Sequence, residues 1–277
     1  MAEHSFYDAH CHWHDSRLLS HATQIAADLE SIDVQRAVVN GTHPDDWDAV
    51  ASLAERDPRV IPAFGLHPWH INDAPDNWLE RLRTYLDRFP NALVGEVGLD
   101  RWIKGHDLQR QQAAFEAQLA IAAQENRPIS IHCLQAWGPL KETLVSCPIP
   151  ARGFHLHGYN GSTEMVRELA NLGAYFSFSA YVMHDRKKRH RDALMQVPLD
   201  RLLVETDCPD MLPPDDWQRF TLPGKVSFVH APDGESLHHP ANINAAYQAI
   251  AEVTGIEQAD LAQLVETNFQ RFFIEDR

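Results

Sequence analysis

The sequence reads as an α/β protein, a parallel (β/α)8 barrel of the TIM type forming one domain over residues 1–277. Three observations predict this. Eight short runs are rich in Val, Ile, Phe and Tyr or bounded by Gly and Pro, and segments of helical period lie between most of them, the alternation of a parallel barrel. The length of 277 residues is large for an ordinary domain and usual for such a barrel. No linker, low-complexity stretch or internal repeat divides the chain.

The strands are expected, in order, at 6–12 (FYDAHCH), 36–42, 60–67 (VIPAFGLH), 92–100 (ALVGEVGLD), 129–133 (ISIHC), 153–157 (GFHLH), 174–181 and 202–207 (LLVETD). Helical periodicity is clear at 21–31, 45–56, 76–88, 107–125, 162–172 and 186–196. A last helical region covers 242–275, where Leu261, Leu264, Val265 and Phe269 recur at helical spacing as packing residues. The longest irregular stretch, about 208–241, holds six prolines and two glycines. It follows the eighth strand, where a barrel carries functional loops.

Composition narrows the function. Hydrophobic residues at 44% and charged residues at 23% describe a globular chain with a core, not a disordered one. A net charge of −15 repels phosphates at long range, which argues against a nonspecific nucleic-acid coat. It leaves open a nuclease whose metal ions supply local positive charge. The start MAEHSFYDAH has neither the basic nor the apolar region of a signal peptide, and no apolar run nears the roughly 20 residues of a membrane helix. Cys11, Cys133, Cys147 and Cys208 are widely spread, as free thiols of a reducing cytoplasm would be. No membrane and no obligate protein partner is expected. The 17 histidines are the anomaly.

Histidine is the commonest metal ligand, and these sit where ligands belong. The first strand ends Asp8-Ala9-His10-Cys11-His12, and alternation puts Asp8, His10 and His12 on one face. The fourth ends Glu96-Val97-Gly98-Leu99-Asp100. The fifth ends at His132, the sixth at His155 and His157, and the eighth at Glu205-Thr206-Asp207. In a closed barrel these ends converge on the active-site mouth. Cys11 and Cys133 fall on the opposite parity and read as small hydrophobes. That leaves a nitrogen and oxygen ligand set of four histidines and two carboxylates. They are too many for one tetrahedral ion and suit two divalent ions, among Zn, Mn, Mg, Co or Fe. Glu96 lies between the histidine groups as the natural bridge. His155 reads as a core or supporting residue, and Asp8, Asp100 and Glu205 as carboxylates that orient ligands. His4, His21, His43 and His106 read as surface residues. The basic run Arg186 to Arg191 follows the seventh strand, where it could overhang the mouth and bind phosphates, and the overall acidity of the chain favours reading it as a solvated helix start. Trp69 and Trp102 follow strands three and four, where they could stack on a base or sugar or cap the barrel.

DAHCH, GLHP (65–68), GEVGLD (95–100), IHC (131–133), HGYNGS (157–162) and ETDCP (205–209) resemble, in order, the blocks of the TatD family of metal-dependent hydrolases, and HPANI (239–243) its later Pro-Ala-Asn block. The resemblance implies a barrel related to the amidohydrolases and a metal-dependent deoxyribonuclease. By it, His10, His12 and Asp207 hold one metal, His132 and His157 the second, and Glu96 bridges. His67 sits near the substrate, with Trp69 beside it. Arg101-Trp102, Trp69-His70 and SLHH (236–239) depart from the family pattern at the mouth.

The leading expectation is a deoxyribonuclease or phosphodiesterase acting on DNA or a small phosphodiester. A metal-activated hydroxide attacks phosphorus and Asp207 acts as general base, with Glu96 as the other catalytic carboxylate. The alternative is an amidohydrolase-like enzyme cutting a small-molecule C–N or lactone bond. Many such barrels bridge their metals with a carboxylated lysine on the fourth strand, where this chain has Glu96. A metal-binding protein without catalysis is a third class, which the complete ligand set argues against.

Overall fold

The computed structural model describes residues 4–224 and 236–275. Eight parallel strands stand side by side in chain order. They are β1 (Phe6–Cys11), β2 (Val34–Asn40), β3 (Val60–Phe64), β4 (Leu93–Asp100), β5 (Ile129–Leu134), β6 (Phe154–Leu156), β7 (Ala174–Phe178) and β8 (Leu202–Val204). Beyond β8 the chain closes the ring on β1, through His12 N–H to Cys208 O at 2.8 Å and Asp207 N–H to His10 O at 2.9 Å. Helices α1 (Ala22–Ser31), α2 (Trp47–Arg56), α3 (Trp78–Arg88), α4 (Leu108–Glu125), α5 (Trp137–Ser146), α6 (Thr163–Asn171) and α7 (Lys188–Leu194) connect successive strands. A short hairpin, β9 (Thr221–Pro223) with β10 (Ser236–His238), precedes α8 (Ile243–Thr254) and α9 (Gln258–Phe269).

The main apolar layer lies between strands and helices and includes Val39, Phe64, Leu99, Ile131, Leu156 and Leu261. A second cluster fills the barrel at the strand starts. There Tyr7, Leu93, Tyr175 and Leu203 meet Phe269, Phe272 and Phe273 from the C-terminal segment. The end opposite the strand C-termini is therefore plugged by aromatic rings, and the other end is left for polar groups. Close strand approach accompanies this. Gly98 has φ +143°, and a Cβ there would stand 2.0 Å from His132 O, so only glycine lets β4 bring His132 alongside Glu96.

Several elements differ from the sequence expectation. The region 242–275 divides at Gly255, whose φ of +71° caps α8 in the left-handed conformation, and it ends in a π turn at Gln270–Ile274. Helix α5 was not expected. It is ten residues long with Gly138 and Pro139 in its first turn, which blurs its periodicity. The stretch 186–196 begins with a 3-10 turn over Asp185–Lys187, and the α-helix itself starts at Lys188. Strand β8 ends at Val204, although Glu205 N–H still bonds Phe178 O at 3.1 Å.

Candidate metal centre

Several inward side chains at the open end have one polar atom fixed, and the fixing decides what the other presents. The His12 Nδ1 hydrogen bonds Asn40 O at 2.8 Å. A carbonyl only accepts, so Nδ1 carries the proton and Nε2 faces the centre. His132 Nε2 lies 2.8 Å from Asp100 Oδ2, which turns Nδ1 inward by the same logic. His10 Nδ1 meets Ser130 Oγ at 3.0 Å, and His10 Nε2 is buried without a hydrogen bond.

These nitrogens surround Glu96, which is buried. Glu96 Oε2 lies 3.3 Å from His10 Nε2 and 3.4 Å from His12 Nε2. Glu96 Oε1 lies 2.8 Å from His157 Nε2, 3.2 Å from His132 Nδ1 and 3.2 Å from His67 Nε2. Asp207 Oδ1 closes the first side, 3.5 Å from His12 Nε2 and 3.8 Å from His10 Nε2. Asp207 has φ +55°, a left-handed conformation that costs a non-glycine residue roughly 1 kcal/mol. The His10 and His157 rings stack at 3.8 Å and 8°.

The electrostatics describe a place that demands cations. Burial pushes the Glu96 carboxyl up, but the surrounding histidines hold it well below the usual range. Burial lowers His12, yet its bond to Asp207 and the Glu96 charge raise it to about 10. Burial likewise lowers His132, and the bonds to Asp100 and Glu96 carry it to about 9. Burial takes His67 down to about 4. Without metal, protons hold the carboxylates and the ring nitrogens together. Among the described residues three sets of groups lie close enough for one ion: His10, His12 and Glu96; His10, His157 and Asp207; His67, Glu96 and His132. Their donors are nitrogen and oxygen only, and with the tautomers of His12 and His132 fixed they fit divalent ions that displace protons.

The six expected ligands thus meet in one cluster. His67 was expected at the substrate, and the structure brings it inside, as near Glu96 as His132 is. The reason lies past the end of β3, where His67 N–H bonds Thr42 O at 2.9 Å and draws the GLHP segment across the mouth. Trp69 was expected to touch substrate. Its indole N–H donates to Asp100 Oδ2 at 2.7 Å, the oxygen that also holds His132, and its ring lies 6.2 Å from that of Trp102 at 31°.

Beneath the centre runs a buried chain the sequence did not reveal. Ser130 Oγ joins His10 Nδ1 to His155 Nδ1, the latter at 3.2 Å. His155 Nε2 meets Ser177 Oγ at 2.6 Å, and Ser177 Oγ donates to Glu205. Glu205 also accepts from Gly158 N–H at 2.7 Å. The available signal was the parity of Ser130 and Ser177, polar residues inside apolar strands. Asp8 accepts from Thr206 Oγ1 at 2.6 Å and ties the end of β8 to β1. Cys11, Cys133 and Cys208 are buried free thiols, absent from every group that could hold an ion. His106 is exposed, whereas His43 is half-buried beside Asp45 at 3.5 Å and corrects the surface reading for that residue. Its backbone N–H, bonded to Asp46, fixes it at the start of the α2 loop.

The centre opens into a cavity of about 1000 Å³. Trp69, Trp102, Arg17, Tyr181 and Met211 form parts of its wall. Arg186, Lys187 and His190 also line it, so part of the basic run stands at the mouth and not on a wholly solvated helix start. The 3-10 turn before α7 carries the first two over the mouth.

The family described as TatD related DNase matches residues 7–274 of this chain. The uncharacterized metal-dependent hydrolase YcfH of Escherichia coli (strain K12) is 28% identical over 269 residues, which cover 96% of this chain and 94% of that protein. The 3'-5' ssDNA/RNA exonuclease TatD of Pantoea vagans (strain C9-1) is 30% identical over 240 residues, 79% of this chain and 91% of that protein. The crystal structure of YJJV, a TatD homologue from Escherichia coli K12, superposes with a TM-score of 0.84 at 25% identity and 98% coverage of both chains.

Proposed function

The chain belongs to the TatD related DNase family, a family of metal-dependent hydrolases, and from that premise we propose that it is a two-metal phosphodiesterase acting on nucleic acid, carried as a single barrel domain. The observation that supports this most is the division of Glu96. One carboxylate oxygen faces His10 and His12 and the other faces His132 and His157, so one residue can serve two subsites. In this reading His10, His12 and Asp207 hold the first ion, His132 and His157 the second, and Glu96 bridges them. His67 stands beside the second subsite.

Bound divalent ions supply Lewis acidity and neutralise charge that develops on a phosphoryl group. The protein's own groups do the rest. Asp207, partly open to the cleft, takes the proton of the attacking water as general base. Asp100 fixes His132, and Ser130 fixes His10, so neither ring must reorient when substrate arrives. Trp69 and Trp102 offer aromatic faces to a base or sugar. The free cysteines suit a reducing compartment, and the reading places the enzyme in the cytoplasm. Among the described residues no helix is long and apolar enough to cross a membrane. The small-molecule amide or lactone reading is weaker, because Glu96 occupies the bridging place where many such barrels carry a carboxylated lysine.

The test is an assay of purified protein, metal content measured first, on single-stranded DNA, RNA, bis-p-nitrophenyl phosphate and a panel of lactones and cyclic amides. Cleavage of the phosphodiesters is expected. Turnover confined to lactones or amides would replace this reading with the alternative.

A further inference from the structure

The basic run divides at the start of α7. Arg186, Lys188 and Arg189 are exposed and Lys187 and His190 half-buried; Arg186, Lys187 and His190 line the cavity, and Lys188 and Arg189 do not. Tyr181 gathers the two cations. The Lys187 ammonium lies 4.7 Å from the centre of its ring, and Arg186 donates to its hydroxyl at 2.7 Å. Among the described residues neither cation has a carboxylate partner. Arg17, on the same cavity wall, shows the contrast: Asp15 at 2.7 Å and Asp210 at 2.8 Å neutralise it.

An ammonium that is half-buried without a carboxylate partner among the described residues loses hydration that the Tyr181 ring face repays only in part. That is unexpected in a chain of net charge −15, where a carboxylate partner is easily supplied. Burial and the Arg186 charge both lower the Lys187 pKa, and an anion beside it would oppose both. His190 adds a third group. Its Nδ1 is buried and has no hydrogen-bond partner among the described residues, and burial holds its pKa down at about 4, so it offers a neutral ring. Two cations and an unsatisfied imidazole share one cavity with a centre suited to a phosphodiester.

We propose that Arg186, Lys187 and His190 form an anion subsite that takes a second phosphate of a single-stranded oligonucleotide while another phosphate lies at the metal centre. This rests on the phosphodiesterase reading and narrows its substrate to chains with at least two phosphates, in preference to small isolated diesters.

The probe is a fluorescently labelled dT oligonucleotide with a phosphorothioate backbone, which resists cleavage, titrated into the metal-loaded protein and followed by anisotropy. Lys187→Ala is expected to weaken binding about tenfold. It should also make the dependence of log affinity on log salt shallower by about 0.7, the slope carried by one contact to a single-stranded phosphate. Lys187→Arg should restore most of the affinity, and Lys188→Ala should bind as wild type. In cleavage assays the loss for Lys187→Ala should be at least about fivefold larger on an oligonucleotide than on bis-p-nitrophenyl phosphate. Wild-type binding by Lys187→Ala overturns the subsite, as does equal weakening by Lys188→Ala, which would report a general field. Equal losses on the two substrates also overturn it, because Lys187 would then act on the scissile diester. If wild type binds through Lys187 but cleaves no phosphodiester, the subsite stands and the phosphodiesterase reading falls. Unaltered binding in an active nuclease gives the reverse.

Discussion

Asp100→Asn separates the geometry of the second subsite from its ligands. Asp100 is fully buried and uses both oxygens. Oδ2 accepts from His132 at 2.8 Å and from Trp69 Nε1 at 2.7 Å. Oδ1 accepts from the backbone N–H groups of Trp102 at 2.7 Å and Ile103 at 2.9 Å. Burial pushes its carboxyl up, but the His132 bond and charge hold it at about 2, so it is ionised at neutral pH. Asparagine has one acceptor oxygen. If that oxygen keeps the two backbone amides, its NH2 faces His132 Nε2. The imidazole must then accept at Nε2 and carry its proton on Nδ1, the atom that faces Glu96. The nitrogen needed as a metal donor becomes an N–H. Partners of this kind are worth about 10- to 100-fold in metal affinity, or about 1.4–2.7 kcal/mol. Calorimetric titration of stripped Asp100→Asn with Mn or Zn should show one equivalent bound as in wild type and a second weakened by that factor. Two equivalents bound with wild-type affinity would refute the tautomer argument.

Glu96→Gln keeps the shape of the bridge and removes its charge; activity should fall at least about a hundredfold, and undiminished turnover with two metals bound would disprove the bridging role. A strong chelator should abolish turnover, with Mg, Mn, Co or Zn restoring it to different extents, while circular dichroism stays folded because the aromatic plug of Phe269, Phe272 and Phe273 lies at the other end of the barrel; collapse of the signal would make the metals structural. Ser130→Ala strands two buried ring nitrogens, His10 Nδ1 and His155 Nδ1, and should cost about 1–3 kcal/mol in denaturant unfolding; an unchanged midpoint would contradict the buried chain. Asp46 accepts from Thr42 and His43 N–H groups; burial raises its carboxyl, but the His14 and Thr42 contacts outweigh this and lower it. Its folded pKa therefore lies below the unfolded value of about 3.9, so its stabilisation is full above that pH and is lost as pH falls through the folded value. Asp46→Asn should flatten the wild-type stability loss below about pH 4, and parallel acid curves would count against it.

Period-two alternation counted from the strand ends was enough to place His10, His12, Glu96, His132 and His157 on the inner face, because each lies on a strand or one residue beyond its end. It does not run unbroken along β1 and β4: Tyr7 and Leu93, of opposite parity, also face the barrel interior, across ladder shifts between Asp8 and Cys11 and between Val94 and Val97. It does not reach His67, three residues past Phe64, where direction is set by the bond to Thr42 O and not by the pleat. Helical period was no better a guide for the run from Arg186. A helical reading spreads those charges around a solvated cylinder, but the 3-10 turn over Asp185–Lys187 puts two of them over the cavity. The break at Gly255 was visible as a glycine, yet the apolar spacing of 242–275 passes through it without interruption. Face, moreover, is coarser than chemistry. Alternation says that His132 points inward; only Asp100, brought near by the β4–β5 register that pairs Gly98 with His132, decides that Nδ1 and not Nε2 is presented. The same holds for His10 through Ser130 and for His12 through Asn40 O. Imidazoles of identical chemistry thus offer different atoms, Nε2 from His10 and His12 and Nδ1 from His132, because different neighbours hold their second nitrogen. A substitution at one of those neighbours should therefore alter metal affinity while leaving every ligand in place.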